Sequence, residues 1–236
     1  MKVKTEVLIG FLKKTTMTGV SALSEGVLDF TDKGIKISSQ SANNNVLISA
    51  ILKSKVIEDY KAVGKVGVHN LQDVVKLLDG FIGEYIKFEI KNNQILFSSA
   101  RRKVKVTLMD KDVVAKPTEY PKSLDERSEI TISMDILKGF FKNMGMVNTS
   151  EFTFTIKGKE LYFCTKGFNE VTEKISIEQD IKDIRLSLSK AFIDAVENLT
   201  DDVTLQLKTD YPITVVSKNK NYAIRILVAP IVQETK

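Results

Sequence analysis

One arrangement recurs four times along this chain, and the recurrence limits its folds more than any other feature. Helical patterns begin near residues 8, 70, 134 and 189, a spacing of about sixty residues, each preceded by a strand and followed by three more. Val3–Val7 reads as a strand and Leu8–Met17 as a helix. GVLDF (26–30), a turn at Thr31–Gly34, IKISSQ (35–40) and VLISAIL (46–52) form an antiparallel meander. Lys65–His69 leads to a helix over 70–81 with Asn70 as N-cap, then YIKFEI (85–90), a turn at Asn92–Asn93, QILFSS (94–99) and RKVKVTL (102–108).

The pattern returns with EITIS (129–133) and a helix over 134–144. EFTFTI (151–156), a turn at Lys157–Gly158, ELYFCT (160–165) and EVTEKISI (170–177) follow. IRLSL (184–188) then precedes a helix over 189–199 capped by Ser189, and DVTLQL (202–207), YPITVVS (211–217) and a strand over 222–232 close the chain. Units of this kind stack sideways into continuous sheets.

Between the second and third units lies DKDVVAKPTEYPKSLDERS (110–128), which holds Pro117 and Pro121 and has no regular charge period. Proline removes a backbone donor and restricts the residue before it, so an interior strand or helix is not expected here. The expected organisation is therefore α+β: a domain over 1–109, a connector over 110–128 and a similar domain over 129–236, each with two strand–helix–strand–strand–strand units.

The search for catalytic chemistry finds little. The single histidine, His69, has no cysteine or second histidine at ligand spacing, and the single cysteine, Cys164, sits within a strand and reads as a small core residue. No glycine-rich phosphate loop, GxSxG or HExxH motif occurs. Asp201–Asp202 and Glu58–Asp59 read as solvated turn acids. The expectation is a protein with no enzymatic activity, no cofactor and no metal. One cysteine excludes an internal disulfide, and the N-terminus lacks signal-peptide features, so an intracellular setting is expected: a prokaryotic or infected-host cytoplasm, or a nucleus. No stretch approaches a membrane span, and the NTS and NLT sequences at Asn148 and Asn198 carry no weight in such a compartment.

The net charge of +5 permits a polyanionic partner, so the placement of charge decides. Lys13, Lys14, Lys76, Lys138, Lys142 and Lys190 all fall on the four helical patterns, and Lys138 and Lys142 share a face. A diffuse cationic surface of this kind binds phosphates without base readout; a solvated helix face is the plain alternative. The edges carry opposite charge: Arg101, Arg102, Lys103 and Lys105 close the first half, whereas Glu170 and Glu173, followed by Glu178, lie in the third unit. Free strand edges pair unless blocked, so these two are expected to join head to tail between subunits.

At this point the chain resembles the DNA sliding clamps, the group that includes proliferating cell nuclear antigen. IGFLKKTTM, SQSANNNVLISAIL, GVHNLQDVVKLLDG, TLMDKDV, TDYPITVVS and ILVAPIV follow that family's order over essentially the whole chain. The resemblance implies a homotrimeric ring around double-stranded DNA, helices inside and sheets outside, holding DNA polymerase on its template as a processivity factor in replication and repair. A clamp loader and other PIP-box-type peptides are the further partners implied, with no membrane. It places a peptide pocket at Val46 and Ile48 of the 43–48 stretch, at Val113, Val114, Tyr120, Pro121 and Leu124 of the connector, at Pro212, and at Leu227, Val228, Ala229, Pro230 and Ile231. Two departures stand out: Asp194 and Glu197 oppose the one lysine of the fourth helix, and Lys116 and Thr118 occupy connector positions where the family has apolar residues. Beside this reading stand a monomeric DNA-binding or heterotrimeric clamp-fold protein, an α+β hydrolase with an unusual site, and a scaffold without DNA contact.

Overall fold

A computed structural model describes residues 1–16, 25–114, 127–147, 149–165 and 170–231. The chain divides into two compact units, Met1–Tyr120 with Lys218–Ile224, and Pro121–Ser217 with Arg225–Lys236.

In the first unit, β1 (Lys2–Lys4) runs directly into α1 (Thr5–Thr15). The strand is shorter than the sequence suggests because Leu8, Ile9, Phe11 and Leu12 already carry the three-to-four spacing of a buried helix face. β2 (Gly26–Thr31), β3 (Gly34–Gln40) and β4 (Val46–Lys53) form the expected meander. A 3-10 turn, Ser54–Val56, leads to the two-residue β5 (Ile57–Glu58), then to β6 (Gly64–Val68). α2 (Leu71–Asp79) is capped as expected: Asn70 Oδ1 accepts the backbone N–H of Gln72 at 3.0 Å and of Asp73 at 3.1 Å. β7 (Tyr85–Lys91), β8 (Gln94–Ser98) and β9 (Lys103–Thr107) follow.

These strands make two antiparallel ladders, β5-β1-β7-β8-β9 and β4-β3-β2-β6. The β7–β8 loop is the two residues Asn92 and Asn93, with φ of 51° and 57°, the positive pair that a type I′ hairpin requires. Gly34, which opens β3 at φ 138°, is required by space as well as by conformation: a Cβ there would lie 2.0 Å from the Leu52 carbonyl oxygen. Phe11, Leu12, Phe30, Leu52, Leu71, Val74, Phe88 and Phe97 surround a cavity of about 30 Å³ in the core between the helices and the ladders. Lys218–Ile224 belongs here too, with Lys53 N donating to Asn221 O at 2.9 Å and the Tyr222 ring 6.3 Å from Phe11.

The second unit contains β10 (Ser128–Ile132), α3 (Met134–Val147), β11 (Glu151–Thr165), β12 (Thr172–Ser189), α4 (Lys190–Val196), β13 (Val203–Leu207), β14 (Ile213–Lys218) and β15 (Tyr222–Val228). β14 and β15 straddle the limits of the units, their residues before Lys218 and after Ile224 belonging to this one. Ser189 caps α4 through its Oγ, which accepts from Ala191 N at 3.3 Å.

Here the structure corrects an expectation. Residues 151–165 are one strand, not two joined by a hairpin turn, and they pair with a single long β12. Gly158, at φ 56°, marks a register shift within that strand rather than a turn tip. The reason is a change of phase: Phe152, Phe154 and Ile156 are buried at even positions, and Leu161 and Phe163 at odd ones. An irregularity between them keeps both apolar sets on the core face. That core is aromatic, with Phe163 4.5 Å from Phe140 and 4.4 Å from Phe154, and Phe192 5.8 Å from Phe152.

Candidate nucleic-acid interface

The helix lysines are placed by amphipathic patterns whose apolar members are mostly buried, Leu77 and Ile136 being exposed, and the lysines lie at the surface. Their charge is largely answered, however. Lys13, near the end of α1, pairs with Asp79 of α2 at 2.6 Å, and Lys76 lies 3.5 Å from Asp73 on its own helix. Lys14 stands over the Tyr222 ring at 5.8 Å. The four described helices carry six lysines and five carboxylates, Glu6, Asp73, Asp79, Asp135 and Asp194. The helical surface is therefore less cationic than the lysine pattern alone implies.

α3 is the exception. Lys138 and Lys142, four residues apart, have no ion-pair partner among the described residues. On α4, Lys190 is exposed and acts electrostatically on both Asp194 and Glu197. Burial raises the Asp194 carboxyl above the ordinary aspartate range, and the Lys190 charge only partly opposes it. Glu197 is raised first by burial and then by the neighbouring Asp194 charge.

The two strand edges can be read bond by bond. Ser99 N donates to Arg102 O and Leu108 N to Asn93 O, both at 2.9 Å, which fixes the phase of β9 on β8. Residues 102, 104 and 106 therefore bond inward, and the backbone groups of Lys103, Lys105 and Thr107 point off the sheet. β9 ends its ladder among the described residues. Arg101 is exposed, whereas Arg102 stacks over the Phe81 ring at 5.7 Å and fills the space beside Gly80. On β12, which pairs only with β11 among the described residues, Glu170 and Glu178 near and on this stretch are exposed. Glu173 is half-buried and accepts from Asn143 Nδ2, and Lys174 between them is held by Glu160. The acidic edge is thus partly engaged within the chain.

The residues assigned to a peptide pocket divide by exposure. Val46, Ile48 and Val228 are core residues, at most 1% exposed, and cannot contact a partner as the chain stands. Val114 is equally buried, against Gly67, whose missing Cβ leaves room for it; Met109 bridges to the same glycine. Val113 is 69% exposed, and Pro212, Leu227, Ala229, Pro230 and Ile231 are half-buried. Tyr120, Pro121 and Leu124, with most of the connector, lie outside the described residues. Arg127 at its end was not singled out in the sequence, yet its guanidinium donates to the Pro212 carbonyl and to Thr214 Oγ1.

Of the other candidates, His69 is exposed with Nδ1 4.0 Å from Glu25, and Cys164 is half-buried beside Thr172 rather than in the core. Among the described residues no three histidine, cysteine or acidic side chains gather as metal ligands, and no helix is long and apolar enough to cross a membrane.

No protein-family model matches the chain, and no curated protein matches it by sequence. Solved structures do. Proliferating cellular nuclear antigen from Entamoeba histolytica superposes with a TM-score of 0.84 at 20% identity, covering 98% of both chains. A. fulgidus PCNA, in a structure with the C-terminal region of FEN-1 bound, gives 0.86 at 14% identity, covering 99% of this chain and 98% of that one. The PCNA2–PCNA3 complex from Sulfolobus tokodaii gives 0.81 at 16% identity over 98% and 99%. Along essentially its whole length, the chain has the DNA sliding-clamp fold of the PCNA structures.

Proposed function

We propose that this chain is a DNA sliding clamp, three copies of which close around duplex DNA and tether a polymerase without reading sequence. The observation that carries the proposal is full-length likeness to PCNA structures in a chain whose four helices follow a single repeat. Lys138 and Lys142 are the principal phosphate-facing charges, with Lys13, Lys76 and Lys190 contributing less because acids neutralise them and Lys14 because it stands over the Tyr222 ring. Attraction to DNA is correspondingly weak and salt-dependent, as befits a ring held by topology rather than affinity.

Subunits join through the outward backbone groups of Lys103 and Lys105 on β9, pairing with the β12 edge near Glu170 and Glu173. The FEN-1 region bound to A. fulgidus PCNA supports a docking role for peptide segments. Among the described residues those left accessible for it are Val113, Pro212, Leu227, Ala229 and Pro230; Tyr120 and Pro121 of the connector are assigned to it from the sequence. DNA polymerase, a clamp loader and other peptide-bearing replication and repair proteins are the partners this assigns.

A heteromeric ring is the second reading. The partial engagement of Glu173 and the presence of Lys174 weaken the acidic edge as a match for β9, and the Sulfolobus tokodaii structure is a complex of two different PCNA chains. Light scattering across a concentration series separates the two. A mass three times 26.4 kDa supports the homotrimer, and a monomer at every concentration overturns it.

A further inference from the structure

The positive charge of the first unit gathers on the sheet rather than on its helices. The register places Lys2, Lys87, Ser98 and Lys103 opposite one another across β1, β7, β8 and β9, and Glu89, Leu96 and Lys105 in the next row. Directly paired residues share a face, so all of these lie on the side away from Phe88 and Phe97, which are buried with the helices. With Lys61 they border an open concavity of about 1080 Å³. Five lysines line it, Lys2, Lys61, Lys87, Lys103 and Lys105, against the two carboxylates of Asp59 and Glu89. Lys2 is answered by Glu58 at 2.9 Å, whereas the other four have no ion-pair partner among the described residues. Lys2 and Lys87 face each other directly, and only Lys2 of the pair has a carboxylate partner.

We infer that this face is a docking site for an extended acidic polypeptide of a partner protein, its carboxylates spaced at alternate residues to meet the lysine rows. The concavity is larger and more open than a small-molecule site. Aliphatic side chains interrupt the charges, with Leu96 half-buried between Glu89 and Lys105 and Val63 47% exposed at the margin. An acidic strand carrying aliphatic residues between its carboxylates suits such a surface. A nucleic-acid strand suits it less: single strands bind through stacking on exposed rings, and both rings in the lining, Phe88 and Phe97, are buried. The face lies away from the helices, so the site is separate from the proposed DNA surface and does not depend on that assignment.

The test measures anisotropy of a labelled synthetic peptide alternating glutamate and valine, using the full chain. Lys61→Gln/Lys87→Gln removes two of the unpaired lysines without touching β9, and Lys36→Gln, exposed on β3, is the control. The peptide is expected to bind the parent chain and the control equally, more weakly at higher salt, and about fivefold more weakly to the double variant. Absence of peptide binding, or equal binding to the double variant, overturns the inference. So does a thymidine oligonucleotide that binds more tightly than the peptide and loses its affinity in the same variant.

Discussion

Replacing Lys105 by proline separates the two roles of β9. The Lys105 N–H points off the sheet, so proline there removes no bond to β8 and sits where edge strands tolerate it. In a ring closed by β9–β12 pairing, the same change deletes one intersubunit hydrogen bond, worth about 0.5–1.5 kcal/mol, and orphans a buried carbonyl at about 1–3 kcal/mol. Together these come to about 1.5–4.5 kcal/mol per interface, or about 10- to 2,000-fold in each association constant. Sedimentation velocity over a dilution series should show Lys105→Pro as monomer where the parent chain is assembled, with its circular dichroism nearly unchanged and its melting temperature that of the parent diluted to monomer. Lys105→Gln removes only the charge and should remain assembled. Val104→Pro, which breaks an inward bond to Phe97, should lower the melting temperature of the chain itself. An assembly whose dissociation midpoint is the same in Lys105→Pro would refute the edge assignment.

Three further outcomes are expected. Gly34→Ala places a methyl against the Leu52 carbonyl at φ 138°, so urea unfolding should show a loss of at least about 1–3 kcal/mol from backbone strain alone. Lys138→Gln and Lys142→Gln should each reduce the salt slope of DNA binding by about 0.9 for every phosphate no longer neutralised, whereas Lys76→Gln, whose charge Asp73 already answers, should change it little. Asp194 has a raised folded-state pKa, so its effect on stability is most favourable at acid pH, below the unfolded aspartate value, and declines as pH rises through the folded one. Asp194→Asn should therefore raise the melting temperature at neutral pH, with the advantage vanishing in acid.

Local physics was legible in the sequence and long-range pairing was not. Asn70 and Ser189 act within two or three residues, so their capping could be read directly, as could the Asn92–Asn93 turn. The phase change between Ile156 and Leu161 was also present, but a glycine after a lysine looks the same in a bulge as in a hairpin tip. The partners of Lys13 and Glu173 are Asp79 and Asn143, on other elements, and no spacing rule brings them together. The resemblance assigns Val46, Ile48 and Val228 to a groove, but burial places them in the core, and apolar character alone does not separate the two.

Topological retention on DNA tests the central claim most directly. The protein is threaded onto linear duplex at low salt, the ends are blocked with biotin–streptavidin, and the salt is then raised to remove electrostatically bound protein. The account predicts that protein stays with blocked DNA and is released once a restriction cut opens an end. Equal retention before and after the cut, or none on blocked DNA from a preparation shown to be assembled, would contradict encirclement.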